Sequence, residues 1–116
     1  MRQVFYPGLA DHPGHVVAAR QMRDFSGIVS FTVRGDFQTA AEVARSTRVF
    51  QLAESLGGVE SLIEHPGQMT HASVAGTEAE VEDTLLRLSV GIENEADLIG
   101  DLKQALEVVV PATAIR

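Results

Sequence analysis

The chain has 116 residues, 45% hydrophobic and 22% charged, with 9 lysines and arginines against 16 aspartates and glutamates, and no cysteine. That length predicts one domain able to bury a core, and the net charge of −7 argues against nucleic acid or an anionic membrane as partner, because the phosphate field repels it. Disulfides and thiolate sites are excluded, which suits a reducing cytoplasm, and no apolar run approaches the ~20 residues of a membrane span.

The opening, "MRQVFYPGLADHP", has no long apolar stretch of the secretory kind and reads as a turn-rich coil in mid-course. A helix is expected from about residue 12 to 24, with Ala18, Met22 and Phe25 as its apolar stripe. "GIVSFTVRG" reads as a strand, with Val29, Phe31 and Val33 alternating with Ser30 and Thr32. Asp36 is placed to cap a second helix over residues 37–48, whose apolar face is Phe37, Ala40, Ala41 and Ala44.

"QLAESLGGVESLIEHP" predicts two short strands around the Gly57-Gly58 turn, and residues 69–82 a small, polar loop. "TLLRLSVG" is a further strand, with Leu86, Leu88 and Val90 on one face. Asn94 caps a last helix, with Asp97 as capping-box acid and Leu98, Leu102, Leu106 and Val109 as core stripe. The tail breaks at Pro111. Hairpin-like neighbours around the glycine pair favour a mostly antiparallel sheet with helices on one face, an α+β arrangement.

Few residues carry an obvious chemistry. His12 and His15 share a spacing compatible with a metal, but no acidic or thiol partner stands at a diagnostic distance, and turn and helix-start roles are the expectation. His65 and His71 bracket a proline-glycine turn and read as loop residues. Phosphate-loop, dinucleotide and nucleophile-elbow patterns are absent. In "LLRLSVG" the alternation sets Arg87 and Ser89 opposite the leucines. If that side meets solvent, Arg87 is an ordinary surface residue. If it lines a cleft, Arg87 is a fixed fork for a carboxylate, with Ser55 as a further donor.

Three blocks, "QMRDFSGIVSFTVRG", "FQLAESLGGVESLIEHPGQMTHAS" and "LLRLSVGIENEADLIGDLKQAL", resemble in order the C-terminal domain of the Cys/Met-metabolism pyridoxal-phosphate (PLP) enzymes. The form "SLGGVESLIEHP" is most similar to the cystathionine γ-synthase and γ-lyase branch. The resemblance implies the small α+β domain of a fold-type I PLP enzyme. Residues 1–13 are then a lead-in from a PLP-binding domain, 14–110 the substrate-side domain and 111–116 a tail.

The resemblance also implies a site. Ser55 and Arg87 hold the α-carboxylate of a small amino-acid substrate, Leu56 lies beside them, and Glu54 stands near the distal end of the substrate. The implied reaction of the whole enzyme is γ-replacement, in which an activated homoserine ester and cysteine give cystathionine for methionine biosynthesis. A γ-lyase, or a non-catalytic domain that only associates, is the alternative. The cofactor lysine is expected in the other domain, since Lys103 resembles no cofactor lysine. The chain alone is therefore expected to be inactive, with no PLP or metal of its own. The family further implies a cytoplasmic homotetramer, and the separated chain is expected to self-associate.

Overall fold

The structure, a computed structural model, describes residues 1–66 and 83–109. In chain order the elements are β1 (Gln3–Phe5), α1 (His15–Gln21), β2 (Ile28–Thr32), α2 (Phe37–Ser46), β3 (Gln51–Leu52), β4 (Leu62–Glu64), β5 (Leu85–Ser89) and α3 (Glu95–Val109). The strands form one sheet in the order β1-β2-β5-β4-β3. β1 with β2, β2 with β5, and β5 with β4 pair antiparallel, while β3 runs parallel to β4.

The expected alternation sets the faces. Phe31, Leu86, Leu88 and Ile63 are buried and meet Ala40, Val43 and Ala44 of α2 and Leu98 and Ala105 of α3 in a single core. Each of the phenylalanine, leucine, isoleucine and valine side chains contributes on the order of 1.5–3 kcal/mol by leaving water, the alanines less. The second and third helices begin where the sequence places them. Asp36 accepts from the Thr39 N–H at 3.0 Å while its own N–H reaches the Thr39 hydroxyl, a reciprocal cap. Asn94 accepts from the Ala96 N–H at 2.8 Å.

Three expectations differ from what is found. Residues 3–5, read as coil, form β1 on the sheet edge, where pairing with β2 overrides the turn-rich composition around them. The first helix spans only His15–Gln21 and buries no residue. Gly14 offers no capping oxygen, and Met22, expected in the stripe, is already extended at φ −107° and ψ 137°. The strands around Gly57-Gly58 are parallel and not a hairpin. Residues 53–61 double back along the exit of β5, and a pairing only two residues long can be reached by so short a return. The expected polar loop over 69–82 and the break at Pro111 lie outside the described residues.

One carboxylate fastens α3 to the rest. Asp101 is 5% exposed and accepts from the backbone N–H groups of Arg48, Val49 and Phe50 at 2.7, 2.8 and 2.9 Å. The Gln104 amide adds a fourth donor at 3.1 Å. Burial raises the Asp101 pKa, but the donors of Phe50, Arg48, Val49 and Gln104 outweigh it and hold the carboxyl below its usual value.

Asp101→Ala leaves these three N–H groups, that of Phe50 buried and the other two half-buried, without their acceptor and should cost about 2–4 kcal/mol at neutral pH. The folded-state pKa is depressed. The contribution is therefore complete above the unfolded aspartate value near ~3.9 and disappears as pH falls through the lower folded value. Urea unfolding of both proteins should show the gap at pH 7 and its progressive narrowing as pH falls below about 4; equal stability at pH 7 contradicts the anchor.

Candidate functional site

The sheet face turned away from α2 and α3 is where polar chemistry gathers. Burying Leu86 and Leu88 on the helix side forces Arg87 and Ser89 to the other side. Register aligns Arg87 with Ser30 of β2 and with Glu64 of β4, so three polar residues cross the sheet in one row. Glu64 is 1% exposed and pairs through Oε2 with Arg87 Nη2, a charge-assisted contact between adjacent strands. The Arg87 side chain is 20% exposed, so its guanidinium is fixed at the base and open at the edge.

The segment between β3 and β4 closes over this row. Arg87 Nη2 also donates to the Ser55 carbonyl at 3.3 Å. Gly57, at φ +81°, donates its N–H to the Ser89 hydroxyl at 2.7 Å, a backbone conformation that disfavours a side chain. Ile92 N–H bonds the Val59 carbonyl at 2.9 Å. Ser61, fully buried, gives its N–H and hydroxyl to the two Glu93 oxygens at 2.9 and 2.8 Å, and its hydroxyl accepts from Gly91 N–H at 2.8 Å. Those two Ser61 donors hold the Glu93 carboxyl below its usual pKa. At Gly91 a Cβ would stand 2.1 Å from the Val59 carbonyl oxygen, so the two segments approach as closely as glycine allows.

The structure thus brings Ser55 beside Arg87 through its carbonyl. Ser55, Leu56 and Glu54 are all exposed along the same segment. Residues 87 and 55 were singled out by sequence and Ser89 was placed on the face of Arg87; Glu64, Ser61 and Glu93 were not. Glu64 had a signal, since it stands two residues after Leu62 on the face opposite Ile63. Ser61 and Glu93 had none, because their meeting depends on a fold-back across 32 positions.

His12 and His15 take the turn and helix-start roles expected of them, whereas His65, read as a loop residue, is buried. His12 Nδ1 accepts from Gly14 N–H at 2.9 Å; His15 bonds the Pro7 carbonyl at 2.7 Å and stacks on Phe25. His65 is buried, with its ring against Phe37 and Nε2 on the Asp83 carbonyl at 2.5 Å. His71 lies outside the described residues. Among the described residues no cluster of three or more metal-ligating side chains occurs.

The family model of the Cys/Met metabolism PLP-dependent enzymes matches residues 1–107. The chain belongs to that family. Cystathionine γ-synthase of Mycobacterium bovis is 65% identical over 103 residues, 89% of this chain and 26% of that protein. Cystathionine γ-lyase of Dictyostelium discoideum is 49% identical over 110 residues, 92% of this chain and 28% of that protein. The crystal structure of MetB from Corynebacterium glutamicum superposes with a TM-score of 0.89 at 51% identity, covering 93% of this chain and 28% of that one. The chain therefore spans about a quarter of the length of these relatives.

A PLP-dependent family needs a lysine for the cofactor aldehyde. The residues present do not fit that role. Lys103 is the single lysine, and it is exposed on α3, the helix packed on the face opposite Arg87.

Removing Glu64 strands the Arg87 guanidinium without its buried counter-charge. Glu64→Ala should destabilise the chain by roughly 2–4 kcal/mol, below the loss for a fully buried pair because Arg87 keeps an open edge. Thermal unfolding followed by circular dichroism checks this, and a variant as stable as the parent refutes a structural role for the pair.

Proposed function

We propose that this chain is the substrate-side C-terminal part of a cystathionine γ-synthase, and that Arg87 with Ser55 receives the α-carboxylate of the amino-acid substrate. The observation that carries the reading is the Arg87 guanidinium. It is held at its base by buried Glu64 and at the Ser55 carbonyl, with Nη1 and Nε making no hydrogen bond to any described residue. A guanidinium fixed in this way through Nη2 leaves the Nη1 and Nε N–H groups as charge-assisted donors for a carboxylate. Leu56 lies beside the carboxylate and Glu54 toward the distal end of the substrate. The 65% identity to a synthase against 49% to a lyase supports the synthase over the lyase alternative.

The whole enzyme then replaces the leaving group of an activated homoserine ester. The Cγ–O bond breaks, the cysteine sulfur forms the new Cγ–S bond, the ester's acid departs and the thiol proton is released. We place this reaction in methionine biosynthesis in the cytoplasm. PLP is held by residues outside this chain, and the chain contributes substrate orientation. Alone it is inactive.

In the full-length enzyme, Arg87→Ala should leave the cofactor's absorbance intact and lower kcat/KM by about thirty-fold or more, the loss of one charge-assisted partner being worth roughly 2–5 kcal/mol. Parallel assays with a homoserine ester plus cysteine and with cystathionine separate synthase from lyase. Normal efficiency in Arg87→Ala sinks the carboxylate assignment.

We also propose that the whole enzyme is a homotetramer and that the separate chain associates with itself through α1 and β1. Val16 and Val17 are 63% and 56% exposed on a helix that buries nothing, and Val4 and Phe5 lie exposed on the neighbouring sheet edge. The net charge of −7 limits growth to small oligomers. Sedimentation at several concentrations should show dimers or small oligomers that revert to monomer in Val16→Glu/Val17→Glu. A wild-type chain that stays monomeric to high micromolar concentration has no such face.

A further inference from the structure

Glu54 to Glu60 are exposed without a break, so no buried side chain holds this segment in place. Its position rests on polar ties, and these follow an alternation of their own. Ser55 meets Arg87, Gly57 meets Ser89, Val59 meets Ile92, and Ser61 meets Glu93 and Gly91. The even-numbered residues, Glu54, Leu56, Gly58 and Glu60, take no part in these ties and are exposed. The segment lies over β5 and its exit, joined mostly by hydrogen bonds in which one partner is a side chain. Its far end carries the strongest tie, a carboxylate taking two hydrogen bonds from one buried serine.

We propose that Glu93, acting through Ser61, is a positioning residue for the 53–61 segment and thereby sets Ser55 and Leu56 in register beside Arg87. This deepens the carboxylate-binding reading above and rests on it. Both Glu93 oxygens are engaged by Ser61, so Glu93 works at a distance and does not touch substrate. The close approach of Gly91 to the Val59 carbonyl shows that the clamp is drawn tight, with no room for a side chain between the two stretches. An acidic residue suits the post because its two oxygens answer an N–H and an O–H on the same residue; a glutamine side chain offers one such acceptor oxygen.

The test has two arms. In the 116-residue chain, amide hydrogen exchange compares wild type with Glu93→Ala and Glu93→Gln. The decisive amide is Gly57, which bonds Ser89 and has no contact with Glu93 of its own. The proposal expects Gly57 to lose protection about ten-fold together with Ser61 and Gly91 in Glu93→Ala, and less in Glu93→Gln, while Phe31 and Leu88 keep theirs. If Glu93→Ala loosens the whole chain, Glu93→Gln decides, because Gly57 must still exchange faster relative to those core strands. Unchanged Gly57 protection beside an exposed Ser61 overturns the proposal.

In the full-length enzyme, Glu93→Ala should raise KM for the amino-acid substrate about ten-fold with kcat within about three-fold, and Glu93→Gln should recover part of that rise. An unchanged KM for Glu93→Ala overturns the proposal even where Arg87→Ala raises KM. A normal KM for Arg87→Ala overturns the carboxylate reading itself, and this proposal with it, whatever Gly57 does.

Discussion

The middle strand of the sheet, β5, pairs on both sides, with β2 and with β4, and its two faces meet different surroundings. Leu86 and Leu88 enter the core under α2 and α3, and period-two geometry then leaves Arg87 and Ser89 no choice of side. A one-residue slip would bury a guanidinium and expose two leucines, so the hydrophobic core locks the register of the polar face. Arg87 meets Glu64 because β4 is in register with β5. Gly57 meets Ser89 because β5 ends there. The segment carrying Ser55, Leu56 and Glu54 inherits its position from these two facts.

The two faces are secured by different physics. On the helix side, apolar burial supplies the stability and one buried carboxylate, Asp101, satisfies the backbone where the chain leaves α2 for β3. On the other side little apolar surface is covered, and fixed charge and hydrogen bonds do the holding. Such a face is costly to assemble, because every desolvated group must find a partner. It has the corresponding advantage of rigidity: a guanidinium braced by a buried carboxylate keeps few of its rotamers.

Membership of the PLP-dependent Cys/Met metabolism enzymes gives this arrangement its context. The chain corresponds to about a quarter of the length of its relatives, and its single lysine stands on the helix side of the sheet, away from Arg87. What the chain carries is a guanidinium braced by a buried carboxylate on an otherwise acidic domain, and exposed charges beyond a Debye length from that pair are screened.

The sequence by itself determined what is local or periodic. The strand "LLRLS" and its two faces, the caps at Asp36 and Asn94, and the mostly antiparallel sheet with helices on one side were legible, because alternation and capping are set by neighbours a few residues apart. The family was legible too, from three ordered blocks. Only the tertiary structure decided the rest. The parallel course of β3, the strand at residues 3–5, the pairing of Glu64 with Arg87, and the junctions of Asp101 with residues 48–50 and Glu93 with Ser61 all join distant parts of the chain. In each, a polar group acquires its partner only after the core has fixed two segments side by side, and no spacing along the chain encodes that distance.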